Sequence, residues 1–283
     1  MKREWVAYGL TAPSYLWLTV TVVLPLAMMF YFSFLSAIPF GGAEPVLTLK
    51  QYASFFERDF YRFLTWRSIM LGVHVTFFCV LIGYPAALIL ARTVGGRWRE
   101  AVLLLIVLPF WSNALIRIFA WTMVLRTNGV VDQAIQFVLP GVPSIGILYS
   151  YPAVVVGLVH SFVPYMILTC YISLQAIDSA LIEAGRVLGA SSFTIFRRII
   201  LPLSLPGLLV GVVLIFVPVV GSFMEPRILG GRQGIMLGTV IEDQFTEVFN
   251  WPLGAALSFI LLGIVMLIFA ATYPFLRNHL KLA

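Results

Sequence analysis

Six apolar runs, each long enough to cross a bilayer as a helix, constrain this chain more than any other feature. A span needs about 20 apolar residues, because the hydrocarbon core is about 30 Å thick and a helix rises about 1.5 Å per residue. The runs fall at approximately 7–36, 68–91, 101–125, 151–177, 199–223 and 251–275. Within hydrocarbon, backbone N–H and C=O groups must be satisfied internally, so runs of this length read as helices. The expectation is an all-α, polytopic membrane protein in which residues 1–283 form one transmembrane domain. The first run lies within Trp5–Phe40, which carries no charge, and no small-residue cleavage site follows a short apolar core. It therefore reads as a retained span rather than a cleaved leader.

The charge content agrees. Only 11% of the 283 residues are charged, against about 25% in a soluble domain. The formal net charge of +6 does not indicate nucleic acid as a partner, because the basic residues form no run or stripe and merely separate apolar segments. Cys79 and Cys170 both fall inside apolar runs and read as packed thiols rather than as a disulfide, metal or redox pair. Between the third and fourth runs, "LPGVPS" (Leu139–Ser144) breaks the apolar pattern. Residues 126–150 therefore read as a structured loop, with a short helix at Asp132–Val138 after the turn at Asn128.

Orientation follows from lysine and arginine in the loops. With the N-terminus inside, Lys2, Arg3, Arg92, Arg97, Arg99, Arg186, Arg197, Arg198, Arg277 and Lys281 face the cytoplasm against four acids. The outer loops then hold seven basic residues against eight acids. Both termini are expected in the cytoplasm, as is the segment 178–202 between the fourth and fifth runs.

That segment contains "EAGRVLGASSFTIFRRIILP" (Glu183–Pro202). Asp178 or Ser179 can cap a helix running to Leu188, and Gly189 can end it in a left-handed conformation. Leu181, Ala184 and Leu188 share one stripe, and Glu183 can pair with Arg186 beside it. Ser191 or Ser192 can cap a second helix that carries Arg197 and Arg198 to the membrane boundary. One reading is a helix–turn–helix under the membrane, offering a small-residue apolar face to a partner. The other is an amphipathic loop resting on lipid headgroups.

The spacing adds a resemblance. Glu183-Ala184-Gly185, then Gly189, then Ile199-x-Leu201-Pro202 resembles the "EAA---G---------I-LP" signature of ATP-binding cassette importer permeases, with Gly185 in place of the second alanine. "GYPAALILA" (Gly83–Ala91), "LPFWSNALIRIFAW" (Leu108–Trp121), "ILGG" (Ile228–Gly231) and "NWPLGAALS" (Asn250–Ser258) are similar to the spermidine/putrescine branch of that family, and to the first of its two permease subunits. One departure is Ser222, where many relatives carry an acid after the glycine; here Glu225 follows three residues later.

The resemblance implies the binding-protein-dependent importer permease fold, a core of five spans with one peripheral N-terminal span, in a bacterial inner (plasma) membrane. It implies that Glu183, Ala184, Gly185 and Gly189 form a coupling helix seated on an ATPase. The implied partners are a homologous second permease, two ATP-binding cassette ATPase subunits, an extracytoplasmic solute-binding protein and the lipid bilayer. The residues themselves say that the engine lies elsewhere. A phosphate-binding loop needs GxxxxGK[ST], and none of Lys2, Lys50 and Lys281 follows a glycine. This chain is therefore expected to bind no cofactor and to catalyse nothing, with ATP and Mg held by the partner ATPase.

Candidates for the substrate path are Trp111, Asn113, Trp121, Tyr165 and Glu225. Aromatic faces attract ammonium groups, and Glu225 can meet a cation. The same aromatics can equally serve as packing or as an interfacial belt, and Glu225 can instead pair with Arg227 or a neighbouring subunit. Arg117, inside the third run, is costly in lipid and must face protein or water; it reads as a salt bridge or a cap on a backbone carbonyl before a substrate contact. His74 and His160 read as packed histidines. Glu242, Asp243 and Glu247 form either a solvated face or a docking rim. Importers of other small solutes (an amino-acid derivative, ferric ion or a sugar) share the expected machinery. An ion-coupled secondary transporter would need an internal repeat and an intramembrane acid, and a membrane enzyme would need a catalytic set; the sequence displays neither.

Overall fold

A computed structural model describes residues 11–38, 44–141, 143–144 and 146–280. Among the described residues the chain is helix and turn, with one isolated antiparallel bridge between Leu35 and Leu47. Six stretches are long and apolar enough to cross a membrane: Thr11–Phe32, Asp59–Arg92, Ala114–Val138, Tyr151–Gln175, Ser192–Val220 and Trp251–Thr272. The helices are α1 (Thr11–Phe32), α2 (Lys50–Glu57), α3 (Asp59–Arg92), α4 (Gly96–Val107), α5 (Ala114–Leu125), α6 (Val130–Val138), α7 (Tyr151–Gln175), α8 (Ser179–Val187), α9 (Ser192–Val220), α10 (Met224–Gly230), α11 (Leu237–Thr246) and α12 (Trp251–Leu280).

Prolines shape these helices in a regular way. Pro25 and Pro202 each follow a π-helical turn, at Thr19–Val23 and Phe196–Ile200. A proline ring collides with the carbonyl four residues back, and widening the preceding turn by one residue relieves the collision. The third expected span departs most from the sequence reading. A continuous helix over 101–125 is replaced by α4, a 3-10 turn at Leu108–Trp111, extended residues at Ser112 and Asn113, and then α5. Pro109 has no N–H to continue α4, and the Asn113 side chain restarts the helix by accepting from the Leu115 N–H at 2.8 Å.

The chain groups into two compact units. The first comprises Met1–Phe63 and Val240–Ile264. In it the Phe30 ring meets Phe34 and Phe259 edge-on, each at 5.1 Å between centroids. The Ser33 hydroxyl bonds the Tyr52 hydroxyl at 2.8 Å. Residues 11–28 of α1 are exposed throughout, so this apolar helix leaves its surface for lipid.

The second unit comprises Leu64–Thr239 and Val265–Ala283. Its core is α9 against α7. Gly207 and Gly211, one helical turn apart, turn their bare Cα atoms onto Thr169, Ser173 and Met166 of α7; a Cβ at Gly211 would stand 2.6 Å from Thr169 Oγ1. Without a hydrophobic drive between helices in lipid, association depends on backbones approaching closely, and small residues four apart permit that. Around this pair lie Leu71, Val75, Cys79, Leu158, Cys170, Leu174 and Ile215, all wholly buried. Cys79 and Cys170 are free thiols. The Tyr84 and Ser204 hydroxyls, buried between α3 and α9, satisfy each other at 2.7 Å.

Candidate functional site

The segment that links α7 to α9 is built from local hydrogen bonds. Asp178 has extended backbone angles, and its Oδ1 accepts from the Ala180 N–H at 2.9 Å, so α8 begins at Ser179. At the other end Gly189 takes φ +78°. The Gly189 N–H donates to the Arg186 carbonyl at 2.9 Å and the Ala190 N–H to the Gly185 carbonyl at 3.0 Å. This is a Schellman ending, which needs a left-handed residue and so favours glycine. Two residues later the Ser191 hydroxyl accepts from the Thr194 N–H at 3.3 Å and starts α9.

The two faces of α8 are used differently. Ile182 and Gly185 are buried, and the open side of Gly185 is filled from within the chain: a Cβ there would lie 3.3 Å from both Ile195 and Ile199. The small size of Gly185 therefore lets α8 close onto α9, rather than admitting an outside surface. Ala184 is on the exposed side, with Leu181 half exposed and Val187 and Leu188 each 86% exposed; Phe193 is 70% exposed. The apolar stripe read from the sequence thus points outward and is extended by Val187 and Phe193. Glu183 and Arg186 form no ion pair among the described residues. Both instead line a recess of about 470 Å³ bounded by the end of α3 and by α9.

The candidate path residues lie in the second unit, on four separate elements. Trp111 sits on the 3-10 turn, 87% exposed. Asn113 caps α5. Tyr165 rests against Phe162 at 5.9 Å. Glu225 accepts from the Ser222 hydroxyl at 3.0 Å, so the serine that departs from the family pattern holds the displaced acid. Arg117 donates from Nη1 to the Pro109 carbonyl at 2.7 Å. That carbonyl also accepts from the Ser112 N–H and hydroxyl. Arg117 is thus a carbonyl cap at the break between α4 and α5, while its Nε is buried without a partner among the described residues.

Trp121 lines a recess of about 630 Å³, almost wholly apolar, where it meets residues that the sequence reading left as packing. His160 packs edge-on against Trp121 at 5.4 Å. His74 Nδ1 bonds the Tyr151 hydroxyl at 2.8 Å, and the Arg67 guanidinium stands 6.0 Å from the Tyr151 ring. Both histidines therefore have ring partners. Tyr151, at the start of α7, carried no signal beyond an aromatic at a span end.

Comparison with known proteins places these features. Residues 83–281 match the family described as binding-protein-dependent transport system inner membrane component. The spermidine/putrescine transport system permease protein PotB of Escherichia coli (strain K12) is 33% identical over 269 residues, covering 94% of this chain and 97% of its own length. The protein of the same name from Salmonella typhimurium (strain SL1344) is 34% identical over 256 residues, covering 89% of this chain and 88% of its own. The fold is similar to a chain of a bacterial ABC transporter involved in the import of the acidic polysaccharide alginate. That likeness has a TM-score of 0.77, with 18% identity, and covers 98% of this chain and 96% of that one.

Proposed function

The chain belongs to the binding-protein-dependent transport system inner membrane component family, and from that premise we propose that it is the first permease subunit of an ATP-driven importer of spermidine and putrescine. The observation that carries the substrate is likeness to spermidine/putrescine permeases over nearly the whole length of both chains. Membership of the family makes it a multi-pass inner-membrane protein. In our reading both termini, and the segment 178–202, face the cytoplasm.

The division of labour proposed is the one that the family resemblance implies. A second, homologous permease completes the path, two ATPase subunits hold and hydrolyse ATP with Mg, and a solute-binding protein delivers the polyamine from outside. The surface of α8 that carries Ala184, with Leu181, Val187, Leu188 and Phe193, is the seat for one ATPase. It is apolar and exposed, it is held by the Asp178 cap at one end and the Schellman ending at Gly189 at the other, and a surface of that kind on a rigid element transmits a push. Glu183 borders the recess behind it, Gly185 binds α8 to α9, and Gly189 sets the angle at which α8 leaves. ATP-driven closure of the ATPases moves α8 and, through α7 and α9, tilts the spans. Trp111, Asn113, Trp121, Tyr165 and Glu225 remain the proposed contacts along the path, with Glu225 the group of opposite charge for an ammonium.

The test is ATP hydrolysis by the complete complex in proteoliposomes, wild type against Gly189→Asp, with the binding protein loaded or empty. Spermidine- or putrescine-loaded binding protein should stimulate the wild type. The variant should assemble and lose the stimulation. Stimulation by a different solute would remove the polyamine assignment and keep the mechanism. A fully coupled Gly189→Asp variant would remove the coupling role.

A further inference from the structure

The end of α3 is tied to the hinge from which α8 hangs. Arg92 is the last residue of α3, and its Nη2 donates to the Leu174 carbonyl at 2.9 Å and to the Ile177 carbonyl at 3.4 Å. Leu174 lies in the last turn of α7, and Ile177 is two residues before α8 begins. Carbonyls at a helix C-terminus have no intrahelical donor and carry the negative end of the dipole. A guanidinium there is at once a cap and a favourable charge. Leu174 and Ile177 are buried, at 0% and 6% exposure, and Arg92 reaches their carbonyls from the edge of an open recess. Leu90 and Ala91, also buried, anchor the donor side.

The surroundings give the tie its importance. The recess of about 470 Å³ lies between the end of α3 and the α8–α9 pair, lined by Leu88, Arg92, Ile182, Glu183, Arg186 and Ile200 among others. α8 therefore has open volume on the side facing α3. Among the described residues, Arg92 makes the hydrogen-bonded link between α3 and residues 174–178. Apolar packing can slide; a charged nitrogen shared between two carbonyls resists sliding.

We propose that Arg92 is a positioning residue for coupling: its grip on the Leu174 and Ile177 carbonyls makes α3 follow the hinge when α8 is displaced. The proposal rests on the reading of α8 as the coupling element. It adds α3 to the parts that move.

The experiment uses the complete complex in proteoliposomes, measuring labelled-spermidine uptake and ATP hydrolysis on the same vesicles, with assembly followed by gel filtration. Arg92→Gln should assemble and hydrolyse ATP, with transport per ATP lowered about tenfold, the order expected for losing one charge-assisted hydrogen bond. Arg92→Lys, which keeps the charge on a head of different reach and shape, should recover part of that loss. An unchanged ratio in Arg92→Gln overturns the proposal. So does a parallel fall of both rates with assembly, which is what a cap serving stability alone would produce. A second readout needs no transport: spin labels at Thr93→Cys and Ala176→Cys, both exposed positions, with the buried native cysteines replaced. Their separation should hold constant when nucleotide is trapped in the otherwise wild-type complex, and change in the Arg92→Gln background. A separation that already changes without the Arg92 substitution overturns the tie. Absence of spermidine uptake in the wild type would instead count against the substrate reading, and the label distances would still decide the role of Arg92.

Discussion

The linker 178–202 and the five candidate path residues were both read from the same chain, and they fared differently in three dimensions. The linker is a sum of local interactions. Asp178, Gly189 and Ser191 each act on a backbone group within three residues, so spacing along the chain is nearly spacing in space. The path residues come from the 3-10 turn, α5 and its cap, α7 and α10, and four of them have separate neighbours: Asn113 a backbone N–H, Trp121 a histidine, Tyr165 a phenylalanine, Glu225 a serine. A residue type suited to a cation does not by itself say where the cation goes. Capping chemistry is legible in sequence because it closes on itself; convergence across helices is not.

Perturbations can sharpen that contrast. The largest effect is expected outside both regions, at Gly211→Leu on the α7–α9 contact. A side chain there meets Thr169 and Met166, and overpacking of this kind costs about 1–3 kcal/mol or more. Detergent-extracted complex should fall in yield on gel filtration, whatever the substrate. Next comes Gly189→Val in the linker. A left-handed β-branched residue costs roughly 1–2 kcal/mol, and we expect stimulated ATP hydrolysis to drop about tenfold while the complex stays whole. Loss of the complex as well would mean that the Schellman turn serves folding rather than coupling.

Smaller changes test the other half of the comparison. Asp178→Ala removes one cap, worth about 1 kcal/mol, and should lower stimulation several-fold less than the Gly189 change. Glu225→Gln should raise the apparent KM for spermidine uptake by a few-fold with the maximal rate nearly kept, the pattern of a lost ground-state contact. An unchanged KM takes Glu225 out of the path and leaves it as the partner of Ser222. Trp111→Ala should shift stability by less than about 0.5 kcal/mol, since the ring is mostly exposed. Its signature, if it contacts polyamine, is again in KM.

Several features were written in the sequence yet took their meaning from contacts. Gly207 and Gly211 stand four apart inside an apolar run, but an apolar run alone does not say which face meets a neighbour. Gly185 looked like an opening for a partner and proved to be the floor against Ile195 and Ile199. Arg117 was read as a salt bridge or a carbonyl cap, and the structure gives the carbonyl, that of Pro109 at the helix break.

By itself the sequence determined the number and helical nature of the spans, because hydrocarbon demands long apolar segments with internally satisfied backbones. It also determined the caps that bound α8, because those bonds reach only a few residues. The tertiary structure alone decided which glycines carry the α7–α9 contact. It also decided that Arg92 grips the hinge more than 80 residues away in the chain. Those outcomes depend on which groups packing leaves unsatisfied and which partner then lies within reach.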